Sequence, residues 1–129
     1  MREPTAVENE LIRKIIGASI EVHRLLGPGH LESVYEQAMS IEMDVQKIQF
    51  VRQSSVSLTY KGHEVGKGRL DFLVHDSVVL EIKSVETLLP VHTAQVISYL
   101  KLTGYQLGLL INFNVPLLKN NIRRIILSQ

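Results

Sequence analysis

Three ionisable residues interrupt two apolar runs in the stretch RLDFLVHDSVVLEIK at residues 69–83: Asp71, Glu81 and Lys83. Side chains alternate along a β-strand, so Arg69, Asp71 and Leu73 are expected on one face, and Leu70, Phe72 and Val74 on the other. The second run divides in the same way, with Val79, Glu81 and Lys83 together. A three-residue loop, His75-Asp76-Ser77, pairs Val74 with Val78. Counting outward then sets Asp71 opposite Glu81 and Arg69 opposite Lys83. A two-residue loop shifts the register by one and separates the acids onto different faces.

In the first register the two carboxylates are cross-strand neighbours, with Cβ atoms about 4.5–5.5 Å apart. Like charges about 4 Å apart repel by about 1 kcal/mol in water and about 4 kcal/mol at an effective dielectric of 20. A shared proton, the flanking Arg69 and Lys83, or a divalent cation would each offset this, and convergent carboxylates suit a hard, oxygen-preferring ion such as magnesium. The plainer alternative is a solvated strand face whose Glu81 and Lys83 form a surface ion pair of little weight.

The elements that must position these residues are legible as changes of period. Leu11, Ile15, Ala18, Val22 and Leu25 recur at steps of three and four, predicting an amphipathic helix from about Val7 to Leu26 that ends at Gly27-Pro28-Gly29. A second helix is expected from about Leu31 to Lys47, with Leu31, Val34, Tyr35, Ala38 and Ile41 on its apolar side, and the two should form a hairpin. Val56, Leu58 and Tyr60 then alternate with Ser55, Ser57 and Thr59, a β signal closed by the turn pair Lys61-Gly62. Two more strands are expected near residues 64–74 and 78–84. A helix from about Val91, with Pro90 at its first turn and Gly104 at its C-cap, leads to the apolar run YQLGLLINF, which reads as a strand buried on both faces. A short basic helix from about Leu117 to Leu127 completes the order ααβββαβα. This predicts an α/β fold whose mixed β-sheet, an antiparallel meander plus one parallel strand, is flanked by helices on both faces.

Bulk properties narrow the function without naming it. The 129 residues suit one domain. A net charge of +1 gives no global pull toward a polyanion, so any nucleic-acid binding must come from a local basic surface or from bound ions. The absence of cysteine excludes thiolate metal sites and a cysteine nucleophile, and suits a reducing cytoplasm. No stretch approaches the roughly 18 apolar residues of a membrane span. No P-loop, dinucleotide fingerprint, serine–histidine–acid set or zinc-type histidine pair is present.

The spacing of Asp71 from Glu81-Ile82-Lys83 resembles the active-site pattern of the PD-(D/E)xK nuclease superfamily. GHLESVY at 29–35 matches a GxxExxY motif through Gly29, Glu32 and Tyr35, AQVISY at 94–99 matches a QxxxY helix motif, and GLLINFNVPLLKNNIRRI adds a matching tail. Together these make the chain resemble the GxxExxY protein family from about Glu8 to Leu127. The resemblance implies a restriction-endonuclease-like core and hydrolysis of phosphodiester bonds, of DNA first of all, with Mg2+ or Mn2+ as cofactor. Asp71, Glu81 and the Ile82 carbonyl would hold the ion, with Glu32 as a further acidic ligand. Lys83 would orient the attacking water, as base or as fixed cation, and Gln95 and Tyr99 would hold the lysine, the phosphate or a water. Leu70 stands where the superfamily's proline would be, a position with no metal-binding atom.

Several residues keep simpler readings. Glu32 falls where an acid often serves a helix dipole. His23 reads as structural, His92 shares a helix stripe with Gln95 and Tyr99, and Lys119, Arg123 and Arg124 give the last helix a basic side that reads first as a solvated end. A homodimer would let two such small sites address both strands of a duplex. Against turnover stands a catalytically silent nucleic-acid-binding or protein-interaction module on the same fold.

Overall fold

A computed structural model describes residues 3–127. Helix α1, Ala6–Leu26, starts at a capping box: Glu8 N–H donates to Thr5 Oγ1 at 3.1 Å and Thr5 N–H donates to Glu8 Oε1 at 2.8 Å. It stops at Gly27, whose positive φ of 66° lets its N–H reach the His23 carbonyl at 2.8 Å. Helix α2, Glu32–Val45, packs back against α1. Strands β1, Phe50–Tyr60, β2, His63–Val74, and β3, Val78–Lys83, form the expected meander. Helix α3, Pro90–Thr103, ends at Gly104 in the left-handed conformation, and β4, Leu107–Asn112, returns parallel to β3. All six β4 residues are buried.

The sheet order is β1-β2-β3-β4-β5, and only the β3–β4 pair is parallel. One face packs against α1 and α2, where Ile15, Tyr35, Met39 and Met43 meet Phe72, Leu80, Ile82 and Ile111. The other packs against α3, where Val96 and Leu100 meet Leu73, Val79 and Leu110. Helix α3 approaches β4 so closely that a Cβ on Gly108 would lie 2.7 Å from Val96 Cγ1. This is a mixed α/β sheet flanked by helices, consistent with a restriction-endonuclease-like fold.

The structure corrects the sequence in three places. The expected basic helix over Leu117–Leu127 is a 3-10 turn, Leu118–Asn121, followed by β5, Ile122–Ile126, antiparallel to β4. Three β-branched isoleucines fit a strand better than a helix, and their backbone satisfies the otherwise open edge of β4. Arg123 consequently points into the protein, donating to Thr93 Oγ1 at 2.8 Å and to the Leu88 carbonyl at 3.0 Å, while Lys119 and Arg124 are exposed on separate elements. In α2 the buried side is Tyr35, Glu36, Met39 and Met43, whereas Leu31 and Ile41 are 75% and 55% exposed and Val34 also faces outward. Of the expected stripe Tyr35 and Ala38 do face the core, but a buried Glu36 turns the inner side away from Leu31, Val34 and Ile41. Finally, Leu70 does not share a face with Phe72: it joins the α3-side core with Leu73 and Val79, while Phe72 joins the other. Regular alternation breaks at Asp71, opposite Gln53, which holds a positive φ of 61° between the paired residues Arg52 and Ser54.

Candidate active site

The turn that sets the site's register has the three-residue length expected. Val74 pairs with Val78, Leu73 with Val79 and Phe72 with Leu80. His75 and Asp76 both take positive φ, 54° and 52°, and Ser77 N–H donates to the Val74 carbonyl at 3.0 Å. Tyr105 Oη donates to Asp76 Oδ1 at 2.8 Å, pinning the turn to the chain just before β4.

Beyond Phe72 and Leu80 the ladder stops, so Arg69 pairs with Ser55 of β1 and not with Lys83, whose partner is Asn112 of β4. Into the gap goes the Asp71 side chain. Its Oδ2 accepts the Ile82 N–H at 2.8 Å, a donor that a continued ladder would have matched with a β2 carbonyl, and Asp71 N–H points at Glu81 Oε1 at 3.4 Å. A strand residue directs its N–H and C=O to the same neighbour, so the Ile82 carbonyl also faces this gap.

Glu81 is only 3% exposed, and Asp71 is half-buried. Burial, then the negative charge of Asp71, push the Glu81 carboxyl up to about 9. Burial also raises Asp71, opposed by its hydrogen bonds with Glu81 and Ile82 N–H. Among the described residues neither acid forms an ion pair. The repulsion anticipated from the sequence is therefore relieved by a retained proton, and a hard divalent cation could replace that proton.

Lys83 stands beside the pair with its Nζ donating to Gln95 Oε1 at 3.1 Å, and Gln95 Nε2 in turn donates to Tyr99 Oη at 3.4 Å. Gln95 and Tyr99 lie four apart on α3, hence on one face. Tyr99 lies directly over Gly68 of β2, where a Cβ would come within 2.9 Å of the ring. The spacing of Gly68 from Tyr99 thus sets how closely α3 can bring Gln95 to the lysine.

Glu32 opens α2 on the rim of an open cleft of about 670 Å³ that also holds Glu36, Gln53, Ser55, Lys67, Arg69, Asp71 and Tyr99. Burial raises its carboxyl above the ordinary value, Lys83 pulls it back, and Asp71 and Glu36 add to the rise. Among the described residues no three carboxylates or imidazoles converge closely enough to enclose an ion by themselves. Glu32 therefore faces the pair without joining it. A larger groove, about 830 Å³, lies at the His75–Ser77 turn and contains none of these residues.

Two networks were not visible in the sequence. Glu36, 9% exposed, accepts Gln53 Nε2 at 2.6 and 2.7 Å and Arg52 Nη2 at 2.8 Å, fixing the twisted part of β1 opposite Asp71. Its only signal was the four-residue step from Glu32. Asn112, wholly buried, binds both the N–H and the carbonyl of Val85, at 3.0 and 2.9 Å, and Asn114 Oδ1 accepts the Gly29 N–H at 3.0 Å. Tyr35 Oη donates to the Gly27 carbonyl at 2.6 Å and accepts the His30 N–H at 3.2 Å, while its ring stacks on Phe113 at 4.8 Å. Gly29, Tyr35 and Asn114 thus clamp the loop that presents Glu32, while Asn112 holds the segment after β3. His23 Nε2 bonds the Val115 carbonyl at 2.7 Å, and His92 Nδ1 accepts the Leu89 N–H at 2.9 Å as a helix-start cap. Both histidines have structural partners.

A family model described as PD-(D/E)XK nuclease superfamily matches residues 9–125. The chain belongs to that superfamily. No curated protein and no solved structure matches it significantly. PD-(D/E)XK nucleases generally use divalent metal ions, which fits the hard-oxygen character of Asp71, Glu81 and the Ile82 carbonyl. Among the described residues no helix is long and apolar enough to cross a membrane.

Proposed function

We propose that this PD-(D/E)XK superfamily member is a nuclease that hydrolyses phosphodiester bonds of DNA with Mg2+ or Mn2+. The observation that carries the reading is the buried Asp71–Glu81 pair in the parted β2–β3 ladder, with Lys83 held beside it by Gln95. Asp71, Glu81 and the Ile82 carbonyl hold the ion, and Glu32 adds an acidic contact from across the cleft. A bound divalent ion supplies Lewis acidity toward the phosphate and offsets the negative charge of the acidic site. Lys83, steadied by Gln95, orients the attacking water and stabilises charge that develops on the phosphate. Tyr99 holds Gln95 from the far side. A chain without cysteine suits such work in a reducing cytoplasm, and a homodimer would bring two sites to the two strands of a duplex.

The test is a magnesium and manganese titration with supercoiled, linear, branched and single-stranded DNA and with RNA. The expected result is metal-dependent cleavage of DNA that is lost in Asp71→Ala and in Lys83→Ala. Cleavage that persists in both variants, or no cleavage of any substrate by the wild type, would sink the proposal.

A further inference from the structure

The β1–β2 hairpin extends from the cleft, and its two faces differ in kind. Cross-strand partners share a face, so Ser55 with Arg69 and Ser57 with Lys67 lie on one side, and Val56 with Gly68 and Leu58 with Gly66 lie on the other. The second side turns apolar groups and glycines toward the protein, with Tyr99 over Gly68. The first is open to solvent along its length: Ser55, Ser57, Thr59, Lys67 and Arg69 are all exposed. Ser55, Lys67 and Arg69 line the same cleft as Glu32 and Asp71, so this face leads outward from Asp71.

The charge is concentrated here. Residues 55–69 carry three cations, Lys61, Lys67 and Arg69, against one acid, Glu64, so the hairpin's formal charge of +2 exceeds the whole chain's +1. Glu64 already accepts the Ser57 hydroxyl at 2.9 Å. Lys67 and Arg69 make no ion pair among the described residues. Such pairing with a carboxylate is what structural surface cations commonly show, as Arg13, Arg24 and Arg52 do.

We infer that this face is a phosphate track that lays duplex DNA along the hairpin and delivers one backbone phosphate to the Asp71–Lys83 site. The inference rests on the nuclease reading for the identity of the polyanion. Hydroxyls of β1 set opposite the cations of β2 contact backbone oxygens and read no base. Proteins that hold single strands add aromatic platforms on which bases stack, and the exposed side of the hairpin carries none of its own: Tyr60 pairs with His63 on the opposite side, beside Lys61, and Tyr99 of the cleft lies over Gly68 on that opposite side. The track therefore selects a duplex, whose bases are already stacked, and is indifferent to sequence.

The experiment is fluorescence-anisotropy binding of duplexes of several sequences, and of a single strand of equal length, over a range of salt in EDTA, where cleavage does not compete. For the wild type the affinity should fall linearly on logarithmic axes, equally for all duplexes. Removing one cation that neutralises a phosphate should reduce the slope by about 0.9. Lys67→Ala/Arg69→Ala should reduce it by about 2, with folding checked by circular dichroism, whereas Lys119→Ala, a remote exposed cation, should leave it unchanged. An unchanged slope in the double variant, no duplex binding at low salt, or equal binding of the single strand would overturn the inference. Track-dependent binding without any cleavage would refute the nuclease reading and leave the track standing. Cleavage with an unchanged slope would do the reverse.

Discussion

Replacing Glu81 by glutamine should stabilise the metal-free protein, because the wild-type site forces a buried acid to keep a proton. The folded-state value of about 9 lies above the ordinary 4.5 of an unfolded glutamate, so the folded chain binds this proton more tightly than the unfolded chain does. The contribution of this group to the stability of the metal-free wild type is therefore most favourable at low pH, declines as pH rises past 4.5, and stops declining only above about 9. At about 1.36 kcal/mol per pH unit, the interval from 4.5 to 7 amounts to an upper limit of about 3 kcal/mol at neutral pH. Glutamine keeps the shape, has no charge to suppress, and can donate to Asp71. For a chain of this size about 3 kcal/mol corresponds to a rise of about 10 °C in Tm. The assay is thermal and urea denaturation of both proteins in EDTA at several pH values, then with millimolar magnesium. The variant should lead at pH 7 and above and lose its lead near pH 4.5. Magnesium should raise only the wild type, by mass action on a site the variant has impaired. A Glu81→Gln protein less stable than the wild type at neutral pH in EDTA, or a difference that ignores pH, would refute the reasoning.

Two other consequences concern the residues that position the site. Gly68→Ala introduces a Cβ 2.9 Å from Tyr99 and should destabilise the fold by about 1–3 kcal/mol. It should also depress kcat more than KM, because it moves α3 with Gln95; measuring both against Gly68→Ala/Tyr99→Ala checks this, since the smaller partner should restore most of the stability. Tyr35→Phe removes a hydroxyl that bonds Gly27 and His30. Leaving those groups unpaired should cost about 1–3 kcal/mol in urea denaturation, and activity should fall further than the residual folded fraction explains because the loop before Glu32 is released.

The carboxylate pair was legible because strand periodicity and a turn of countable length determine register without long-range information. Val74 with Val78 follows from three loop residues, and counting holds as far as Phe72 with Leu80, which brings Asp71 and Glu81 side by side but does not set Arg69 opposite Lys83. The proline start and glycine stop of α3 were legible for a similarly local reason. What escaped depends on partners far apart in the chain. Nothing near Asp71 announces that β2 leaves β3 there: the break is coupled to the positive φ of Gln53 and to Glu36, which holds it from another helix. The run IRRII has the composition of either a basic helix or an edge strand, and the open edge of β4 decides between them. Asn112 and Asn114 lay within a motif whose meaning appears only when Val85 and Gly29 are brought beside them. Helix α2 shows the same limit, since its apolar residues occupy more of the circumference than the sheet can cover.

The central claim is that Asp71 and Glu81 form a divalent-ion site, and the most direct measurement is the anomalous scattering of crystals soaked in manganese. The expected result is a manganese peak between the two carboxylates and within reach of the Ile82 carbonyl, absent from Glu81→Gln crystals treated identically. No peak at this position, or manganese bound only elsewhere on the molecule, would contradict the account.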